Sequence, residues 1–179
     1  VVPADGEVTW RAPAPDPAPG DTLPPDLGNG VAGVLLFLAA VAAQTGAEPP
    51  RDAALAAARH LRRLMAQRSA DEGLGILDGL GGIIYGLAHA ARLLDEPALL
   101  EDAVHAARLL DEKRIGRSDV ADVAGGLAGA ILGLLALDHL TPRPGVVELA
   151  AACGRRLARL AVTTPSGGAA WPTGDGLAL

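Results

Sequence analysis

Aromatic residues are nearly missing from this chain: two tryptophans, one tyrosine and one phenylalanine in 179 residues. A sugar-binding cleft that depends on stacked rings has little to be built from. Cysteine is as scarce, and the lone Cys153 excludes an internal disulfide. Lys113 is the only lysine, so arginine carries nearly all the positive charge, which we read as coding bias. The formal net charge of −6 leaves no basic excess of the kind a nucleic-acid partner requires. No long apolar run is present either. Val31–Ala43, about 13 residues, falls short of the roughly 20 needed to span a bilayer. Val1–Trp10 carries acids and no basic stretch ahead of an apolar one, so no signal peptide is legible. These absences lead us to expect a soluble, cytoplasmic protein with no nucleic-acid partner and no membrane span.

What is present is alanine, leucine and glycine, a composition that favours close-packed helices over sheet. A glycine signature occurs three times: Gly30-Val31-Ala32-Gly33, Gly79-Leu80-Gly81-Gly82 and Gly126-Leu127-Ala128-Gly129. The first glycines lie 49 and then 47 positions apart, a spacing typical of helical-hairpin repeats. Each signature opens an apolar helix, expected at about 31–44, 80–95 and 127–140. Each of these has a partner, at about 51–67, 98–112 and 145–160, after a break rich in proline. The first helix of a pair is apolar nearly all round, as in Val34-Leu35-Leu36-Phe37-Leu38. The second interleaves Arg59, Arg62, Arg63 and Arg68 with Leu55, Leu61 and Leu64. A helix apolar on all sides is buried and one with a charged face lies outside, so we expect an inner and an outer layer. The six signature glycines are expected to turn the chain with φ > 0 and to let inner helices crowd together.

Residues 1–25 hold seven of the 14 prolines and read as an extended linker or domain junction, with 26–179 as the helical unit. Trp10 is the one large side chain there, either an anchor on the body or an exposed linker residue. No strand precedes the glycines and no Lys-Ser or Lys-Thr follows them, so neither phosphate-binding nor dinucleotide fingerprints are present. Tyr85 and His89 share one face of an inner helix and are candidates for lining a central cavity as binding residues, with core packing as the alternative. His60 and His105 fall on outer helices, as surface or helix-pair residues. His139 ends an inner helix, where a cation suits the dipole. Asp71-Glu72 and Asp111-Glu112 read as solvated turn carboxylates.

The stretch Asp26-Leu27-Gly28-Asn29-Gly30-Val31-Ala32-Gly33 resembles the opening of the cyclase domain of class II lanthipeptide synthetases. So does Gly79-Leu80-Gly81-Gly82-Ile83-Ile84-Tyr85-Gly86-Leu87-Ala88-His89, and Asp122-Val123-Ala124-Gly125-Gly126-Leu127-Ala128-Gly129 matches that family's Asp-bearing glycine motif. Order and spacing agree over roughly residues 26–179. The resemblance implies an all-α fold, an α/α toroid of two helical layers, here an incomplete arc of about three hairpins. It implies thioether-ring formation: a peptide cysteine adds to dehydroalanine or dehydrobutyrine in the same precursor peptide, with zinc holding the thiolate. It implies as partners that peptide, a dehydratase domain and the remainder of the toroid. It assigns Asp122 as catalytic, orienting a histidine or relaying a proton; on the residues alone, Asp122 reads as a helix cap. Asp119 is the fallback if the register slips.

The family's zinc ligands, two cysteines with the second followed by histidine, and its histidine in a His-Gly motif belong beyond the Trp171 segment. No Cys-His pair occurs here, and Cys153 falls in an outer helix. Zinc is therefore expected in the intact family enzyme and from no ligand set of this chain, which is expected to be inactive alone. Two alternatives stay open: a noncatalytic helical-repeat module that holds a peptide, and an α/α-toroid glycosidase or epimerase, for which no acid pair is identifiable.

Overall fold

The computed structural model describes residues 2–4, 7–11, 22–67 and 73–172. Helices α1 (Val31–Thr45), α3 (Leu80–Leu94) and α6 (Leu127–Leu140) start directly after the three signature glycines. Their partners are α2 (Glu48–Ala66), α4 (Pro97–Arg108) and α7 (Val146–Leu160). Proline occupies the first turn of α2 and of α4, where its missing N–H has no helical acceptor to serve. α1 packs on α2, α3 on α4 and α6 on α7, while α1, α3 and α6 pack side by side. The result is an inner row of three helices backed by an outer row, the all-α class expected.

Burial follows the two-layer reading. In α3, Leu80, Ile83, Ile84, Leu87, Ala88 and Ala90 are fully buried, as are Leu127, Leu134 and Leu137 in α6. Each such Leu or Ile contributes about 1.5–3 kcal/mol on leaving water. The outer helices bury one stripe only: in α2 it is Ala54, Ala57, Ala58, Leu61 and Met65, with Arg59, Arg62 and Arg63 turned outward. Arg68 lies outside the described residues. Arg62 spans to α4, donating from Nε to Asp102 Oδ1 at 2.8 Å and from Nη2 to Oδ2 at 2.5 Å.

Four features depart from the sequence expectation. A six-residue helix, α5 (Glu112–Arg117), fills what reads as a turn, with Asp111 Oδ1 accepting from the Arg114 N–H at 2.6 Å. Asp111 is thus a cap rather than a merely solvated carboxylate. Two short hairpins also occur, β1 (Val2–Ala4) with β2 (Glu7–Thr9) and β3 (Val162–Thr163) with β4 (Ala169–Ala170). Trp10, following β2, is half-buried against the core and its carbonyl accepts from the Leu23 N–H at 2.8 Å. The Ala-Pro stretch, residues 12–19, and Asp71-Glu72 lie outside the described residues. No helix among the described residues is long and apolar enough to cross a membrane.

The glycines supply the fourth departure. Gly30, Gly79 and Gly126 have φ of −128°, −152° and −114°, extended values open to any residue. The expected φ > 0 is absent there. What excludes a side chain is space. A Cβ on Gly30, Gly79 or Gly126 would strike the backbone of its own preceding loop, at Pro24 and Asp26, Gly73 and Gly75, or Val120 and Asp122. A Cβ on Gly33, Gly82 or Gly129 would strike the carbonyl six residues earlier, of Leu27, Ile76 or Val123. The same clash in three copies identifies one motif used three times.

Candidate functional site

The loops before the inner helices gather at one end of the molecule. Each folds back over the helix it precedes, so that helix N–H groups donate to carbonyls seven residues upstream. Val31 donates to Pro24 at 2.8 Å, Leu80 to Gly73 at 3.1 Å and Leu127 to Val120 at 3.0 Å. These bonds satisfy donors that a Ser, Thr or Asp cap would otherwise serve, and none of the three helices has a side-chain cap. With those donors occupied, the glycine turns cannot cradle a phosphate as a P-loop does. The loops also join one another at equivalent positions: the Gly28 N–H donates to Leu77 O at 2.8 Å and the Leu77 N–H to Ala124 O at 2.9 Å.

Asp122 stands on the third of these loops. It is exposed, and its Oδ1 accepts from the Gly125 N–H at 2.8 Å, so it braces the turn rather than capping α6 itself. Its other oxygen has no protein partner among the described residues. Asp78, on the second loop, also lies close to Gly125. A Cβ there would lie 3.2 Å from Asp78 Oδ1 and 3.3 Å from Oδ2. Gly125 is therefore bracketed by two exposed carboxylates, held by loops 2 and 3. Asp78 escaped the sequence reading, although aligning the copies on their glycines places it beside Asn29 and Gly125, directly before each signature. Asp119 is engaged elsewhere: its Oδ1 pairs with Arg156 Nη2 of α7 at 2.5 Å, while Arg156 Nε donates to Ser118 O. That ion pair ties the loop to the outer layer.

Tyr85 and His89 are brought together, with ring centroids 4.2 Å apart and planes tilted by 43°. Both are half-buried on the side of α3 turned away from the outer layer. His89 lies nine residues into α3, roughly 14 Å along the axis from its start, so it is well separated from the loop end where Asp122 stands. Burial first, then the charges of Arg92 and of His139 on α6, hold His89 below the ordinary histidine pKa. His60 is buried in α2, its Nδ1 3.0 Å from Arg63 Nη2, a helix-pair residue rather than a surface one. His105 is exposed on the last turn of α4.

Among the described residues no three His, Cys, Asp or Glu side chains gather into a group able to hold a metal ion. Cys153 is fully buried in α7 and burial pushes its thiol up to about 11, so it is a packed thiol and not a thiolate at neutral pH. A tetrahedral zinc site needs three or four protein donors, and the residues described do not fit one.

No curated protein matches the chain. A family profile described as lanthionine synthetase C-like protein matches residues 21–173, which takes in all three glycine loops, the seven helices of the described residues and both β3 and β4. The match covers most of the chain, and the chain belongs to the lanthionine synthetase C-like protein family.

Proposed function

We propose that this chain forms the first three hairpins of a thioether-forming cyclase, acting on a precursor peptide whose dehydro residues come from a dehydratase unit. In that reaction a peptide thiol loses its proton, the sulfur adds to the β-carbon of a dehydroalanine or dehydrobutyrine, and the α-carbon of the resulting enolate takes up a proton. No atom is lost. The observation that carries the reading is Asp122, fixed by the Gly125 N–H with its second oxygen turned to no protein partner, in a loop of a lanthionine synthetase C-like chain. A carboxylate so held can orient a base or pass on a proton without moving. Zinc chemistry, usual for the family, is not routed through these residues, because the donors described do not fit the metal. In this reading residues 1–25 lead from the dehydratase unit, the enzyme works in the cytoplasm, and further hairpins continue the row into a toroid from the free side of α6.

Asp122→Asn tests the role of the charge, because an asparagine oxygen still accepts from the Gly125 N–H and keeps the turn. Cyclisation is mass-neutral, so it is read as the loss of alkylatable thiols in a dehydrated, cysteine-bearing peptide. In a preparation that cyclises, Asp122→Asn is expected to slow the reaction by about 100-fold, the scale of a single acid–base group, at unchanged melting temperature. Undiminished cyclisation overturns the assignment. A second reading is a module that holds a peptide without turnover; thiols that stay alkylatable in a bound peptide would select it.

A further inference from the structure

The inner face carries charge of one sign. When the copies are aligned on Gly33, Gly82 and Gly129, the positions three, seven and ten residues on share the side turned away from the outer layer. α1 places Leu36, Ala40 and Ala43 there, α3 places Tyr85, His89 and Arg92, and α6 places Leu132, Ala136 and His139. No acid stands on any of the three stripes. Arg92 and His139 are both exposed in the last turns of their helices, and His89 lies one turn before Arg92.

Four other arginines are neutralised, while Arg108, Arg155 and Arg159 make no ion pair among the described residues. Arg51, Arg62, Arg143 and Arg156 each face a carboxylate, of Glu96, Asp102, Glu101 and Asp119 respectively, and all four belong to the outer layer or its connections. Arg92 has no such partner among the described residues. Of the nearby acids, Glu96 is drawn to Arg51, Asp138 shares the free side of α6 with Ile131 and Leu135, and Asp95, the exposed C-cap of α3, makes no ion pair among the described residues. Basic residues close the last turn of every described helix but α1, which suits the helix dipole and accounts for the positions of Arg92 and His139, but His89 sits inside α3. Burial first, and then the neighbouring Arg92 and His139, lowers the proton affinity of His89.

We propose that the inner face of α3 and α6 binds a carboxylate-bearing segment of the peptide, with Arg92 and His139 meeting an aspartate or glutamate and Tyr85 and Leu132 taking an apolar neighbour. The inference rests on the reading of the chain as one that handles a peptide, and it names the chemistry of the segment recognised. A carboxylate held there removes the repulsion among the three basic groups, and the half-exposed rings and leucines beside it supply contact area that a free anion cannot use.

Two fluorescently labelled peptides, identical except that aspartates alternating with leucines become asparagines, are titrated with the chain and followed by anisotropy. The acidic peptide is expected to bind about fivefold more tightly, the scale of a partly exposed charge pair. The preference should vanish in Arg92→Gln, persist in Arg155→Gln on the outer face of α7, and shrink with added salt. Leu132→Ser should weaken both peptides alike. Equal binding of the two peptides, or a preference that survives Arg92→Gln, overturns the proposal while leaving peptide handling intact. Displacement of the acidic peptide by acetate as readily as by unlabelled peptide also overturns it, reducing the site to a general anion contact. If neither peptide binds, the peptide-handling reading falls with it.

Discussion

Gly133 sits mid-helix in α6, and an added Cβ would run into the backbone of Gly81 on α3. Gly154 sits mid-helix in α7 with nothing within 4 Å of the same atom. The two residues have the same intrinsic cost in a helix, yet substitution to alanine should move stability in opposite directions. Gly154→Ala removes backbone freedom from the unfolded chain and adds helix propensity, and should gain about 0.5–1 kcal/mol. That corresponds to a rise in melting temperature of about 1–4 °C at this size. Gly133→Ala forces two helix backbones apart and should cost about 1–3 kcal/mol or more, as overpacking does. Thermal unfolding of the two variants checks the pair. A Gly133→Ala protein as stable as its parent would mean that the α3–α6 approach is looser than its backbone contacts indicate.

Whole elements differ in what holds them. Inner helices meet through backbone at glycine, with no polar link to relax, whereas the outer α2 and α4 are tied by the Arg62–Asp102 fork. Hydrogen bonding to Asp102 raises the Arg62 pKa, and the arginine stays charged at any ordinary pH. The Arg62 side chain is half-exposed at 52 %, and a pair in such a setting contributes about 0–1 kcal/mol. Arg62→Ala should therefore lower stability less than Gly133→Ala does, and its effect should shrink in high salt. Denaturant titrations of the two variants at low and high salt decide it. A larger loss from Arg62→Ala would locate the organising contacts in the outer row instead. The loops are the third kind of element: their register is set by backbone bonds from Gly28 to Leu77 to Ala124, so the candidate site is rigid wherever the row of inner helices is intact.

At the scale of the molecule the row has two open sides. Four residues past the signature, where α3 and α6 have the buried Gly86 and Gly133, α1 has Phe37, which is 65 % exposed. Six residues past it, where α1 and α3 have the fully buried Ala39 and Ala88, α6 has Leu135 at 47 % exposure. Positions that face a neighbour in the middle of the row face solvent at its ends. The Ala124 N–H, equivalent to the donors of Gly28 and Leu77, has no backbone partner among the described residues. Exposed apolar faces of this kind drive association. The chain alone should sediment with a coefficient that rises with concentration, and Leu135→Glu combined with Phe37→Ser should sediment as a monomer. A monodisperse parent at high concentration would sink this expectation.

Much of the fold was legible in residue order. Inner-helix starts followed from the glycine signatures, outer-helix starts from Pro49, Pro97 and Pro144, and inner or outer placement from apolar or amphipathic patterning, because these are properties of spacing along one chain. Asp122 was legible through its motif. Its hydrogen bond to Gly125, the approach of Asp78 to the same glycine, the withdrawal of Asp119 by Arg156 and the shared charge of His89, Arg92 and His139 were not. Each joins residues from separate repeats or layers, whose meeting depends on how closely two helices pack. The sequence alone determined that glycine must stand at six signature positions, and the tertiary structure decided why. The reason is a loop folded back over each helix start, where a Cβ would meet a carbonyl, and not a turn that demands positive φ.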